Sequence, residues 1–264
     1  MPFATSGRAR IAYDVAGGGD GADVLLIHAG VNDRRSWRHV LDRLTPRHRC
    51  VTYDMRGYGE TTYEPEDGWS PVADAVAVLD AAGVERAAVV ACSMGGQVAI
   101  DLALAHPARV QSLALIGPAV RGAPYPELTA GPTALLNAQL EETEDLDEAN
   151  RLEAWLWLDG PGAPEGRVQG AARELFLEMN GRALRAPDPG EEADLPAAWP
   201  RLAEIAVPAL VLLGRLDAED ILAIGEPLAE RIPGARLQWL EGVAHVPQLE
   251  NDPATLDAIE AFVS

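Results

Sequence analysis

Short, continuous apolar runs alternate with longer amphipathic stretches along most of this chain. Residues 23–29 (DVLLIHA), 49–55 (RCVTYDM), 86–92 (RAAVVAC), 110–117 (VQSLALIG), 208–214 (PALVLLG) and 235–240 (ARLQWL) are runs of four to eight residues rich in β-formers. Runs of this kind, without polar alternation, are the pattern of strands buried on both faces. An earlier segment, 9–16 (ARIAYDVA), is a further strand, followed by a glycine-rich turn at 17–21. Between the runs, residues 36–44, 71–82, 94–105, 220–231 and 253–263 carry helical periodicity. Strands that alternate with helices predict βαβ units and a mostly parallel, doubly wound α/β sheet.

The rhythm breaks between Gly117 and Val207. The edges of this stretch are rich in Pro and Gly (GPAVRGAPYPE, RAPDPGEEADLPAAWP), and its interior holds acidic helical patterns such as LEETEDLDEANRLEAWLWL but no convincing strand. The expected organisation is a core of residues 1–117 and 208–264, with 118–207 inserted as a helical cap over one end of the sheet. At 264 residues the chain is long enough for one sizeable domain with such an insertion.

Composition narrows the chemistry. The formal net charge of −20 repels nucleic acid and anionic membrane surfaces, so neither is expected as a partner. Every basic residue is arginine; with no lysine, Schiff-base and pyridoxal-phosphate chemistry and the Walker phosphate loop are excluded. Cys50 and Cys92 form neither a disulfide framework nor a zinc-binding spacing, and no metal and no cofactor is called for. The N-terminal MPFATSGRAR lacks the apolar segment of a signal peptide, and no apolar run reaches membrane-spanning length, so a cytoplasmic protein is expected.

Sites in α/β sheets form at the carboxyl ends of strands. The polar residues that follow the runs are His28, Asp54-Met55-Arg56, Cys92-Ser93-Met94, Arg215-Leu216-Asp217 and His245. A serine, an acid and a histidine therefore leave the sheet at one edge. Ser93 sits in Ala91-Cys92-Ser93-Met94-Gly95, one residue short of the nucleophile-elbow pattern G-x-S-x-G. Only a small residue is required at the first position, so alanine there is a tolerated variant, while Gly95 and Gly96 leave room on the helix side.

HAG at 28–30, YDMRGYGET at 53–61, CSMGG at 92–96, AHPARV at 105–110, GRLD at 214–217 and GVAHVPQLENDP at 242–253 stand in one order. On these segments the chain resembles the α/β-hydrolase family over nearly its whole length, in the esterase and enol-lactonase-like branch. The resemblance implies a serine hydrolase acting on a small-molecule ester, lactone or thioester. Ser93 is then the nucleophile, His245 the base, and Asp217 the acid that fixes the histidine tautomer. Asp217 is favoured over Asp220, which lies at a helix start where it can cap. His39 and His48 lie near the first helix and His106 before a proline at a helix end, so none competes with His245; His28 takes a structural hydrogen-bonding role. A histidine base predicts activity that rises with pH through a single titration.

The oxyanion donors implied are the amides of Met94 and Gly30, with Val31 as the alternative if the loop is shifted by one. Asp54 and Arg56 read as structural loop residues rather than a carboxylate-binding site, and Cys92 as a small packing residue. Val31, Trp155, Trp157, Phe176 and Val246 are candidates for an apolar substrate pocket, although burial against the core is the favoured reading of each cap residue taken singly. Trp155 and Trp157, two apart, cannot share a helix face, so one can look into the site while the other packs. Two alternatives stay open: carbon–carbon bond hydrolysis on the same triad, and a non-hydrolytic cyclase, lyase or ligand-binding relative.

Overall fold

A nine-stranded sheet carries the molecule, its strands ordered Phe3–Ser6, Ala9–Gly17, Arg49–Tyr53, Val24–Ile27, Ala87–Cys92, Val110–Ile116, Ala209–Gly214 and Arg236–Leu240, with Thr62–Tyr63 paired to Ala9–Gly17. The computed structural model describes all 264 residues. The strands are β1 (Phe3–Ser6), β2 (Ala9–Gly17), β3 (Val24–Ile27), β4 (Arg49–Tyr53), β5 (Thr62–Tyr63), β6 (Ala87–Cys92), β7 (Val110–Ile116), β8 (Ala209–Gly214) and β9 (Arg236–Leu240). From β4 to β9 every neighbouring pair is parallel, whereas β1, β2 and β5 form an antiparallel edge. Those two short strands, β1 and β5, are absent from the sequence reading.

The helices are α1 (Arg38–Leu44), α2 (Pro71–Ala81), α3 (Met94–Ala105), α4 (Pro132–Glu142), α5 (Leu146–Glu153), α6 (Ala171–Ala183), α7 (Glu219–Arg231) and α8 (Pro253–Val263). Ser70 and Asp252 cap α2 and α8, each followed by proline at the first helical position, where no amide donor is needed. No helix is long and apolar enough to cross a membrane.

Alternating strand residues divide the core into two layers. Leu25, Ile27, Val89, Leu113 and Val211 pack with α2, α3 and α7 on one face. Leu26, Val90, Ala114 and Leu212 pack with α1 and α8 on the other. Between β7 and β8 lie α4, α5, α6 and a π-helical turn over Ala154–Asp159. Phe176, Met179, Ala154 and Leu158 from this segment join the second layer, so the inserted helices share one apolar seam with α1 and α8.

Asp220 does not cap α7. Ala218 occupies the N-cap position, and the Asp220 Oδ1 atom is buried without a partner. The helix begins one residue earlier than its periodicity suggests, which moves Asp220 into the first turn. Thr133 of α4 serves this end instead, accepting from the Glu219 amide at 3.3 Å while its own amide donates to the Glu219 carboxylate at 3.2 Å.

Candidate active site

β3 and β6 are adjacent, yet the chain leaves β3 toward β4 on one side and continues from β6 to β7 on the other. This switch in direction opens a crevice at the strand ends, the place where α/β sheets hold ligands. The loop after β3 and the turn after β6 both run into it.

The turn after β6 holds Ser93 at φ 55°, ψ −119°, a left-handed conformation that a non-glycine residue adopts only under constraint. Its amide donates to the Ile116 carbonyl at 2.9 Å, and its carbonyl accepts from Gly96 and Ala119 at 2.8 and 3.0 Å. The geometry explains the small residues around it. A Cβ on Gly95 would lie 2.4 Å from the Ile27 carbonyl oxygen and 2.5 Å from that of His28, and one on Gly96 would lie 2.6 Å from Pro118 Cβ. At Ala91, by contrast, the extra methyl group is accommodated within a fully buried strand position.

Asp217 and His245, 28 residues apart, meet at the ends of β8 and β9: His245 Nδ1 donates to Asp217 Oδ2 at 2.9 Å. Both are buried, at 4% and 1% exposure, so the bond is shielded from competing water. Asp217 Oδ1 accepts from the Ala218 amide at 2.7 Å, which fixes the carboxylate plane. With Nδ1 carrying the proton, Nε2 keeps its lone pair for a substrate or nucleophile proton.

Two contacts tie this pair to Ser93. Gly117, next to the Ile116 carbonyl that holds the Ser93 amide, passes so close that a Cβ would lie 2.9 Å from both Asp217 Oδ2 and His245 Nδ1. Cys92 donates its thiol to the His245 carbonyl at 3.4 Å. Burial pushes that thiol's pKa up, so Cys92 stays an uncharged packing group. The Ser93 hydroxyl itself makes no hydrogen bond to His245; such bonds commonly tighten only once substrate is bound.

His28 is spoken for on both nitrogens. Nδ1 donates to the Ala29 carbonyl at 2.8 Å and Nε2 accepts from the Met55 amide at 3.0 Å. Burial pushes its pKa down despite the opposing pull of Asp54, and the imidazole is neutral and structural. Asp54 accepts the amides of Arg34 and Glu60, and Arg56 pairs with Asp74 and Glu66, so both residues hold loops together. The amides of Gly30 and Val31 have no acceptor within the chain. The Met94 amide opens α3, where intrahelical acceptors do not exist. Asn32, in the same loop, is fully buried with both side-chain polar atoms unpartnered. Such a group costs about 1–3 kcal/mol, and no sequence pattern marks it.

The five pocket candidates separate. Trp157 lies against the His245 ring, 4.6 Å between centroids. Trp155 points away, donating its indole N–H to the Ala163 carbonyl at 2.9 Å. Phe176 is fully enclosed in the seam between α6 and the core. Val246 is likewise buried, and Val31 half-buried. A cavity of about 360 Å³ lies elsewhere, beside Met94, Gln97, Tyr58 and Trp69, and none of the five candidates lines it.

A family model described as the alpha/beta hydrolase family matches residues 24–258. The chain belongs to the α/β hydrolase family. It is 31% identical to the 2-hydroxymuconate semialdehyde hydrolase of Pseudomonas sp. strain CF600, over 88% of this chain and 83% of that protein. It is 30% identical to the rhodomycin D methylesterase DauP of Streptomyces sp. strain C5, over 89% of each. Among solved structures it is similar to the esterase RhEst1 of Rhodococcus sp. ECU1013, at 26% identity and a TM-score of 0.79 over 100% of this chain and 98% of that one.

In this α/β hydrolase one arginine clasps the inserted helices to the histidine loop. Arg167 donates to the Leu158 and Asp159 carbonyls at 2.7 Å, to the Gly242 carbonyl at 2.9 Å, and to both Glu250 oxygens at 2.7 and 2.9 Å. The clasp thus joins the end of the Trp157-bearing turn to the loop that carries His245. Removing the cation leaves a largely buried carboxylate unpaired. Arg167→Gln is expected to cost about 2–3 kcal/mol and to lower the thermal midpoint by about 5–10 °C. Adding Glu250→Gln should recover part of that loss in a differential scanning measurement; no recovery would show that the pair is not coupled.

Proposed function

We propose that this protein is a serine hydrolase that cleaves small carboxylic esters, lactones or thioesters through an acyl-enzyme. Ser93 Oγ attacks the carbonyl carbon while His245 Nε2 takes its proton. The developing oxyanion lies at the amides of Met94 and Gly30, at the positive end of α3. The tetrahedral intermediate collapses by expelling the alkoxide or thiolate, which takes the proton back from Nε2. Water then attacks the acyl carbon while His245 Nε2 takes its proton, and Nε2 returns that proton to Ser93 Oγ as the acid leaves. Asp217 holds the tautomer throughout and balances the imidazolium. Residues 118–207 act as a cap that brings Trp157 over the histidine.

The observation that carries this reading is the buried 2.9 Å Asp217–His245 pair beside a serine held at φ 55° on a helix N-terminus. The methylesterase and esterase likenesses agree with it. A fluorophosphonate should label one residue, Ser93, and p-nitrophenyl acetate and butyrate should be turned over. Neither labelling nor turnover would end this reading. The likeness to a semialdehyde hydrolase favours carbon–carbon bond hydrolysis on the same triad as the second reading. A diketone probe, with an acyl–carbon bond in place of the acyl–oxygen bond, separates the two.

A further inference from the structure

The cavity of about 360 Å³ beside α3 is lined by Met94, the residue that follows the nucleophile, and by Tyr58. Gly30 locates this wall: a Cβ there would lie 3.4 Å from the Tyr58 hydroxyl and 3.5 Å from Met94 Sδ and Cε. The oxyanion loop and the cavity are therefore two sides of one partition. Its Met94 half is an unbranched thioether on the residue that follows Ser93, able to change rotamer without moving the backbone. The cavity roof is pinned rather than loose. Trp69 donates its indole N–H to the Gly190 carbonyl at 2.9 Å, and Ala193 donates to the Trp69 carbonyl at 2.7 Å.

We propose that this cavity is the acyl subsite of the hydrolase and that it takes a neutral, apolar acyl chain or single ring, with Met94 swinging aside to admit it. The inference rests on the serine-hydrolase reading and goes beyond it in naming the substrate class. Position assigns it to the acyl side. A leaving group must reach His245 for its proton, yet no cavity-lining residue comes from the histidine loop or from Trp157. The volume sits at the lower end of pockets that enclose a drug-sized ligand, which suits a medium chain.

Charge sets the selectivity. Arg56 is the single cation in the lining, beside Asp74, Asp188 and Glu192. Its guanidinium is already committed to Asp74 at 2.9 and 3.0 Å, to Glu66 at 3.0 Å and to the Ser6 carbonyl at 2.9 Å, and Trp69 covers its face at 4.9 Å. Only one of its five N–H donors is left, and a substrate carboxylate would also meet Asp188, which has no cation partner, beside Asp74 and Glu192, already held by Arg56 and Arg121.

Ala186 lines the cavity from outside the catalytic machinery, so Ala186→Trp fills it, with Ala183→Phe as a second filling variant. Relative to p-nitrophenyl acetate, hexanoate turnover (kcat/KM) should fall about tenfold or more in both variants, while acetate stays within about twofold of wild type. In the wild type, the p-nitrophenyl monoester of adipic acid should be about tenfold or more slower than the hexanoate. Binding is read independently of turnover by the tryptophan emission change on adding hexanamide, taken as the difference between wild type and Trp69→Phe. Unchanged chain-length preference in two natively melting variants, or equal use of the adipate monoester, would overturn the acyl subsite. If acetate and hexanoate are both inert, the hydrolase reading fails. Saturable hexanamide binding lost in Ala186→Trp would then still uphold a neutral-acyl site, and no binding would end it.

Discussion

Ser93→Ala is expected to lower kcat on p-nitrophenyl butyrate by a factor of about 10⁶, with far-UV circular dichroism unchanged. The hydroxyl is the only atom removed, and it makes no bond on which the fold depends: the turn is held by the Ser93 amide and carbonyl, through Ile116, Gly96 and Ala119. Alanine keeps those bonds and tolerates the same φ of 55° no worse than serine. What survives is the oxyanion donors and binding, which leave some catalysis above the uncatalysed rate. Fluorophosphonate labelling should vanish with the activity. Residual turnover within about tenfold of wild type would mean that another group attacks the ester.

The parallel strands and most helices were legible because each βα unit obeys one local rule, an apolar run followed by an amphipathic stretch. Val24–Ile27, Ala87–Cys92 and Ala209–Gly214 fall within a residue or two of the runs that predict them. β1 and β5 escaped because they are four and two residues long and exist by pairing with β2, a partner distant from β5 in sequence. The π-helical turn at Ala154–Asp159 escaped for another reason: WLWLD fits ordinary helical periodicity, and a single π-turn has no periodicity of its own.

The same division runs through the site. That Ser93, Asp217 and His245 lie at one sheet edge was readable because each follows a strand end, and the sheet brings strand ends together without help from side chains. The cavity beside α3 was not readable. Candidates drawn from cap aromatics found Trp157 beside His245 but also picked out Trp155 and Phe176, whose surroundings are those of packing residues. The cavity is built instead from the loop after β4, the start of α2, the start of α3 and residues 183–192, four segments whose meeting depends on tertiary contacts such as Trp69 to Gly190. Arg167 and Glu250 are 83 residues apart, and no local pattern marks their pairing.

Asp217→Asn should lower kcat by about 10⁴ with little change in KM, and the reason lies in one backbone amide. An asparagine could in principle turn either its oxygen or its nitrogen toward His245. At this position Oδ1 already accepts from the Ala218 amide at 2.7 Å. An asparagine must keep its carbonyl oxygen there, because turning the amide nitrogen to that side would set donor against donor. Its –NH₂ group then faces His245 Nδ1, which has to accept rather than donate. The imidazole proton moves to Nε2, and the histidine can no longer take a proton from Ser93. Shape and size barely change, so the thermal midpoint should shift little. The alternative acid gives the opposite pattern: were Asp220 the partner, Asp220→Asn would abolish turnover and Asp217→Asn would not. Asp220 lies in the first turn of α7 with Oδ1 bonded to nothing, while Asp217 and His245 share a 2.9 Å bond. Measuring kcat, KM and melting for both variants therefore tests the acid and the tautomer argument together.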